Sequence, residues 1–251
     1  MALIRGAFYY MGQSKIDLLV LGLPVNTFEK YNQQLAERVI GKHLVPVREK
    51  DGSLSQREVE VSNCRVIPQP IGAFFDYATK TRTYDRMRSQ MNLLIDIGYY
   101  TLDWLVADGV KMVNARSGAH NGGMSAVLRS MAEAIGSEIG EQISDLSMLE
   151  ESIRTGIDPT FYGKPFDITE HLKIGKAKAE QFVSVLVNKV GSALDISNII
   201  LAGGGAEFFK DVLADKFPKH EIITTSDPVF ANVRGFQRAG QQFADQMFKR
   251  G

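Results

Sequence analysis

The chain has 251 residues, 44% of them hydrophobic and 23% charged, which is ordinary for a globular protein of one large domain or two lobes. Lysine plus arginine and aspartate plus glutamate both number 29, so the charge balance gives no reason to expect direct, sequence-specific nucleic-acid binding. One cysteine, four scattered histidines and no apolar stretch near the roughly 18 residues of a membrane span argue against a disulfide, a His/Cys metal site and a membrane protein. We expect a cytoplasmic location, since no targeting signal is recognisable.

The first half of the chain predicts one α/β lobe. A helical pattern covers residues 1–13, and the nearly continuous apolar run Ile16–Leu23 predicts a strand covered on both faces. A helix follows to about Ile40, with Asn26 or Thr27 as its cap. The remaining predicted elements of this half are strands at 44–47 and 57–67 around an Asp-Gly turn, a helix at 71–78 and an exposed linker at 79–89.

The second half predicts a second α/β lobe that opens with a meander of three strands. The predicted elements are strands near 92–98, 99–106 and 110–115, helices at 124–139 and 176–190, a strand at 198–201, a helix at 207–217, a strand at 221–223 and a helix from 228 to 249. Residues 141–175 are expected to form a helical insertion. We assign residues 1–90 to lobe I, to which the C-terminal helix within 228–251 returns, and residues 91–227 to lobe II.

A hairpin with two aspartates is the most informative segment. The strand that ends in Asp96-Ile97-Gly98 turns into a second strand carrying Thr101 and Asp103. Backbone amides in such a turn can face an anionic ligand while a carboxylate holds Mg²⁺ through water, as is usual for hard cations at phosphate sites. By itself, Asp-x-Gly is also a common turn with a solvated aspartate.

Two further elements support a ligand site. The turn Gly203–Gly205 joins an apolar strand to a helix, so the backbone can approach an anion closely, although tight packing alone would also explain it. Gln69 lies where a strand gives way to a helix, a position suited to orienting a water molecule or to a plain turn. The chain contains neither the Gly-x-Gly-x-x-Gly of dinucleotide sites nor the P-loop motif.

In this order, the elements resemble the actin-like ATPase superfamily. The resemblance implies an α/β, actin-like (ribonuclease H-like) fold of two lobes, and it is strongest to plasmid-segregation actins of the ParM/StbA type, including protein D of PRTRC gene clusters. The segments that carry it are 96–103 for the second phosphate motif, 199–206 for the adenosine motif, 69–73 and 228–236 for the two connecting helices, and 19–25 and 117–123 for the ParM/StbA type.

The resemblance implies a nucleotide site with ATP or ADP and Mg²⁺ as its cofactors. Asp96 would hold the metal through water, and Gln69 and Asp103 would be the catalytic residues that position or polarise the attacking water. The other implied contacts are Gly98 and Thr101 at the phosphates, Gly203, Gly204 and Gly205 at the ribose and α-phosphate, and Glu207 or Phe208 at the base.

The resemblance also implies ATP hydrolysis, self-association into filaments and coupling to a DNA-bound adaptor protein that moves plasmid copies apart. Superfamily members begin with a strand-turn-strand that carries Asp-x-Gly and a downstream lysine, whereas the segment before Ile16 has a helical pattern. We therefore expect an incomplete first lobe, an exposed apolar strand edge and impaired ATPase activity. A sugar or acyl kinase of the same superfamily and a non-hydrolysing scaffold are the alternatives.

Overall fold

The computed structural model describes residues 1–248, and the predicted residue 249 of the C-terminal helix lies outside them. The first half contains α1 (Ala2–Met11), β1 (Lys15–Ile16), β2 (Leu19–Leu23), α2 (Val25–Val39), β3 (Gly41–Arg48), β4 (Leu54–Val61), β5 (Cys64–Pro68), α3 (Ile71–Lys80) and α4 (Tyr84–Met87). The last of these lies inside the segment that the sequence predicts to be a linker.

The second half begins with β6 (Met91–Ile97), β7 (Leu102–Asp108), β8 (Lys111–Met112), a 3₁₀ turn (Asn114–Arg116), β9 (Gly118–His120), α5 (Met124–Ile139) and α6 (Ser147–Thr155). It continues with β10 (Thr160–Phe161), β11 (Lys164–Pro165), α7 (Thr169–Val190), β12 (Ile196–Ala202), α8 (Ala206–Lys216), β13 (Ile222–Thr224), a 3₁₀ turn (Pro228–Phe230) and α9 (Ala231–Phe248). None of the helices in residues 1–248 combines the length and apolarity of a membrane span.

A six-stranded mixed sheet organises the second half. Its order is β13-β12-β6-β7-β8, with β9 added beside β7, and β12 runs parallel to both β6 and β13. Strands β6 and β12 are almost wholly apolar because helices cover both faces of the sheet. Helices α5, α7 and α8 pack on one face, and α3 and α9 pack on the other. The α/β class predicted from the sequence is confirmed.

Two smaller sheets form the first half. Strand β2 pairs in parallel with β5, while β1, β4 and β3 form a separate sheet on which α1 packs. The predicted strands Ile16–Leu23 and 57–67 are therefore each divided between two sheets. The two segments change sheets at neighbouring points, where hydrogen bonds join them: Ser62 N–H donates to Ile16 O at 2.8 Å, and the Asn63 side chain donates to Asp17 O at 3.0 Å.

The start of α2 differs from the sequence prediction. Neither Asn26 nor Thr27 caps this helix through its side chain; Pro24 is the N-cap residue, and the Thr27 hydroxyl donates back to Pro24 O. The Val25 N–H donates instead to the Asp103 carboxylate at 3.3 Å. A carboxylate from a distant strand thus performs the capping that the sequence predicted from a local side chain.

The segment 141–175 is only partly helical. Between α6 and α7 the chain forms the short antiparallel pair β10–β11, whose turn residues Tyr162 and Gly163 both have positive φ. Helix α7 begins at Thr169, seven residues before the predicted start, and the Asp167 carboxylate accepts the Thr169 N–H at 2.8 Å. This side chain–backbone bond defines the beginning of the helix.

The crossing of α3 and α9 connects the two halves. Gly72 and Gly235 face each other so closely that a Cβ atom on Gly235 would overlap the carbonyl of Gly72. Further along the pair, the fully buried Asp76 accepts bonds from cations of both helices: Lys80 at 3.0 Å, Arg238 at 3.2 Å and Arg234 at 3.3 Å. The buried charge is compensated only while the helices stay together.

Gly235→Ala should lower the free energy of unfolding by at least about 2 kcal/mol, because the added methyl group has to separate two backbones rather than displace a flexible side chain. Urea unfolding monitored by circular dichroism measures this. The matched control is Gly6→Ala in α1, where a Cβ meets nothing within 4 Å and should be neutral or slightly stabilising. Equal effects of the two substitutions would contradict the tight crossing.

Candidate functional site

Two aspartates lie opposite each other at the end of the β6–β7 hairpin. Asp96 and Asp103 are cross-strand partners and are only 6% and 5% exposed. The Gly98 N–H donates to Thr101 O at 2.9 Å and closes the turn beside them. Like charges directly opposite on adjacent strands are destabilising, so this pair points to a ligand-binding role.

Asp96 is held by two neutral amide groups. Gln69 Nε2 and Asn232 Nδ2 both donate to Asp96 Oδ2, each at 2.9 Å. The pKa of Asp96 is raised from 3.8 to about 6: burial and then the nearby Asp103 charge raise it, while the hydrogen bonds from the two amides oppose the shift. Within residues 1–248 no ion pair reaches Asp96, so its charge lacks a protein cation.

Asp103 is held by the hairpin and by the start of α2. Burial also raises the pKa of this carboxyl group, and hydrogen bonds from the Thr101 side chain and the Val25 N–H oppose the shift. Four of the predicted site residues, Gln69, Asp96, Thr101 and Asp103, thus lie together at the end of the β6–β7 hairpin.

The turn Gly203–Gly205 also lies beside Asp96, and its three glycines have different surroundings. Gly203 has φ +85°, and a Cβ there would lie 2.6 Å from Asp96 Oδ1. Gly204 is exposed, with open space where a side chain would be. Gly205 is buried, donates its N–H to Ile97 O at 2.9 Å and packs against Met124, so it has a structural reason to be glycine.

The turn of the hairpin also covers the start of α5. The carbonyl groups of Gly98 and Tyr99 accept the N–H groups of Met124 and Ser125 at 3.1 and 2.7 Å. These helix-start amides are therefore not free for an anion, although a helix N-terminus usually offers them. An anion at this site would have to use the remaining amides of the hairpin and glycine turns, since the N–H groups of Gly98, Gly203 and Gly205 already donate to backbone carbonyl groups.

A cavity of about 450 Å³ opens beside Gly204. Its walls combine apolar side chains with a charged rim, and they are formed by Met124, Glu150, Ser152, Ile153, Arg154, Gly156, Leu172, Lys176, Gly204, Glu207, Phe208 and Asp211. An apolar slot with a few polar groups suits a flat ring. A larger cavity of about 720 Å³, between α5 and residues 140–146, includes none of the hairpin or glycine-turn residues.

The carboxylates fit Mg²⁺ only as a partly hydrated ion. The described part of the chain contains no cluster of three or more His, Cys, Asp or Glu side chains able to hold a metal alone. Mg²⁺ usually keeps several waters and is bound through one or two carboxylates together with phosphates of a ligand. Asp96 and Asp103 match that pattern, because both are buried, they lie opposite each other at the end of the hairpin, and no ion pair within residues 1–248 reaches Asp96.

Comparison with known proteins agrees with this geometry. Residues 94–215 match the family described as archaeal actin homologue MreB-like, C-terminal, and residues 1–72 match the actin-like proteins N-terminal domain. No curated protein matches the chain.

Solved structures show the same fold at low identity. The archaeal actin homologue Ta0583 superposes with a TM-score of 0.79 at 19% identity, over 96% of this chain and 76% of Ta0583; it has also been solved as a complex with ADP. The apo ParM of pSK41 gives a TM-score of 0.67 at 18% identity over 96% and 68% of the two chains. A ParM filament from Clostridium botulinum gives 0.67 at 23% identity over 89% and 66%.

The chain therefore has the actin-like fold, and the two family matches support the actin-like superfamily. The fold expected from the resemblance is confirmed, while the ParM/StbA type stays a prediction. Sequence reasoning gave no role to Asn232, although the residue lies within the segment likened to the second connecting helix. Its contact with Asp96 spans 136 positions and depends on how α9 crosses α3.

Asp96→Asn should stabilise the protein at neutral pH. A carboxyl group whose pKa is higher in the folded than in the unfolded chain contributes stability below its unfolded pKa of 3.8, and that contribution is lost as the pH rises through about 6. The variant should therefore exceed the wild type by up to about 3 kcal/mol at pH 7.5, and the difference should shrink towards pH 4. Thermal melts across this pH range test it; a constant difference would contradict the pKa shift.

Proposed function

We propose that this chain is an actin-like nucleotide-binding protein that takes ATP or ADP with Mg²⁺ at the cleft around Asp96. The observation that carries the proposal is the buried Asp96–Asp103 pair, whose nearest partners are neutral amides and the glycine turn. The Mg²⁺ ion of a metal–nucleotide complex would supply the missing positive charge. The ADP complex of the similarly folded Ta0583 supports this choice of ligand.

Different residues would contact different parts of the nucleotide. The base would enter the cavity bordered by Glu207 and Phe208, and the phosphates would lie between the Gly98–Thr101 turn and the exposed Gly204. Asp96 would hold water on the metal ion. When bound, Mg²⁺ would neutralise phosphate charge and orient the phosphate oxygens.

We further propose Gln69 and Asp103 as the groups that position a water molecule for ATP hydrolysis. Both lie at the Asp96 end of the cleft, and Gln69 Oε1 remains available as an acceptor while Nε2 contacts Asp96. Phosphoryl transfer depends mainly on positioning and charge stabilisation. Because no ion pair within residues 1–248 brings a lysine or arginine to Asp96, we expect slow hydrolysis by these residues alone.

We also propose that the chain self-associates into filaments. Its role would be plasmid partition in the cytoplasm, together with a DNA-bound adaptor protein. The fold shared with a filament-forming ParM supports the first part. Sedimentation with and without ATP tests it: ATP-dependent pelleting is expected of a filament-forming protein, whereas ADP release that requires a sugar or acyl acceptor would favour the kinase alternative. Nucleotide binding without pelleting or ADP release would favour the scaffold.

Calorimetry with ADP and Mg²⁺ tests the site directly. Asp96→Ala and Gly203→Ala should each weaken binding at least about tenfold, the first by removing the carboxylate that holds the metal water and the second by pushing a Cβ against Asp96. The control is Asp85→Ala, since the Asp85 side chain is 97% exposed and pairs only weakly with Arg88 at 3.9 Å. Undiminished binding by both site variants would contradict the proposed cleft.

A further inference from the structure

Asn232, in the first turn of α9, contacts two other elements. Its Nδ2 group donates to Asp96 Oδ2 at 2.9 Å, and its Oδ1 atom accepts the backbone N–H of Ala73, in the first turn of α3, at 3.2 Å. The second bond fixes the orientation of the amide. Because a backbone N–H can only donate, the oxygen of Asn232 has to face Ala73 and its NH₂ group has to face Asp96.

The two amide donors leave one oxygen of Asp96 for a ligand. Gln69 and Asn232 both donate to Oδ2, so the hydrogen-bonding capacity of that atom is largely used. The other oxygen, Oδ1, lies beside Gly203, at 2.6 Å from the place where a Cβ would be. The carboxylate is therefore held in one rotational state, with Oδ1 on the side of the glycine turn.

The helix crossing holds Asn232 in place. A Cβ on Gly72 would lie 2.5 Å from Asn232 O and 2.7 Å from its Cα, so the backbone of Asn232 rests directly on α3. The close approach of Gly235 to Gly72 fixes the next turn of α9 in the same way. A displacement of α9 against α3 would therefore move the NH₂ group away from Asp96.

We propose that Asn232 is a positioning residue which, with Gln69, orients Asp96 towards a metal–nucleotide ligand and ties that carboxylate to the contact between α3 and α9. The inference rests on the proposed function. Asn232 acts through Asp96 and does not itself touch the nucleotide. Metal-dependent binding should then depend on Asn232 more strongly than metal-free binding does, because outer-shell partners of a metal-binding group usually change metal affinity 10- to 100-fold.

Two variants separate this role from a general structural one. Asn232→Asp keeps an oxygen that can accept the Ala73 N–H, but it replaces the donor to Asp96 with a like charge. Asn232→Ala removes both bonds. The matched control is Arg238→Ala, in the same helix: it removes one of the three cations at Asp76 but leaves the Gly72–Gly235 crossing and both bonds of Asn232 in place.

The measurement is the affinity for ADP by calorimetry, in Mg²⁺ and again in EDTA, with a thermal melt of each variant as a check of folding. We expect the ratio of the two affinities to fall at least about tenfold in Asn232→Asp and about fivefold or more in Asn232→Ala, while the affinity in EDTA changes less than about threefold. Arg238→Ala should lower the melting temperature and keep the wild-type ratio.

An unchanged ratio in both Asn232 variants would overturn the inference while leaving the proposed function intact. Equal loss of the ratio in Arg238→Ala would also overturn it, because the effect would then come from general loosening of the helix pair. Absence of ADP binding by the wild type in Mg²⁺ would overturn the proposed function and this inference together.

Discussion

The close crossing of α3 and α9 at Gly72 and Gly235 is the constraint on which the site depends. Side chains at these positions would separate the helices; Gln69 lies two residues before α3 begins, and Asn232 lies in the first turn of α9. Both amides then meet one carboxylate oxygen of Asp96. The packing of two helices on the large sheet thus determines the orientation of Asp96, one of the two buried acidic groups of the β6–β7 hairpin.

The site is built at a cost in stability. Two carboxyl groups face each other across the β6–β7 hairpin, and burial raises the pKa of each. Elsewhere the protein buries a carboxylate with full compensation, since Asp76 receives three cationic side chains. The contrast between Asp76 and Asp96 supports the proposal that a ligand balances the charge of Asp96, as at binding sites that exchange stability for function.

The sequence predicts the second half better than the first, for a physical reason. Strand β6, helix α5 and the turn Gly203–Gly205 follow from local apolar runs and glycines, which need no knowledge of distant contacts. The division of the strand at Ile16–Leu23 between two sheets and the capping of α2 by Asp103 depend on partners 46 and 78 positions away. For the same reason local patterns could single out Asp96, Asp103 and the glycine turn as candidates, whereas the contact of Asn232 with Asp96, 136 positions away, could not be predicted.

A crystal structure of the chain with ADP and Mg²⁺ would show whether the nucleotide binds at Asp96. We expect the phosphates between the Gly98–Thr101 turn and Gly204, the base beside Phe208, and a metal-bound water on Asp96 Oδ1 with Oδ2 still held by Gln69 and Asn232. A nucleotide in the larger cavity between α5 and residues 140–146, or a metal far from Asp96, would contradict it.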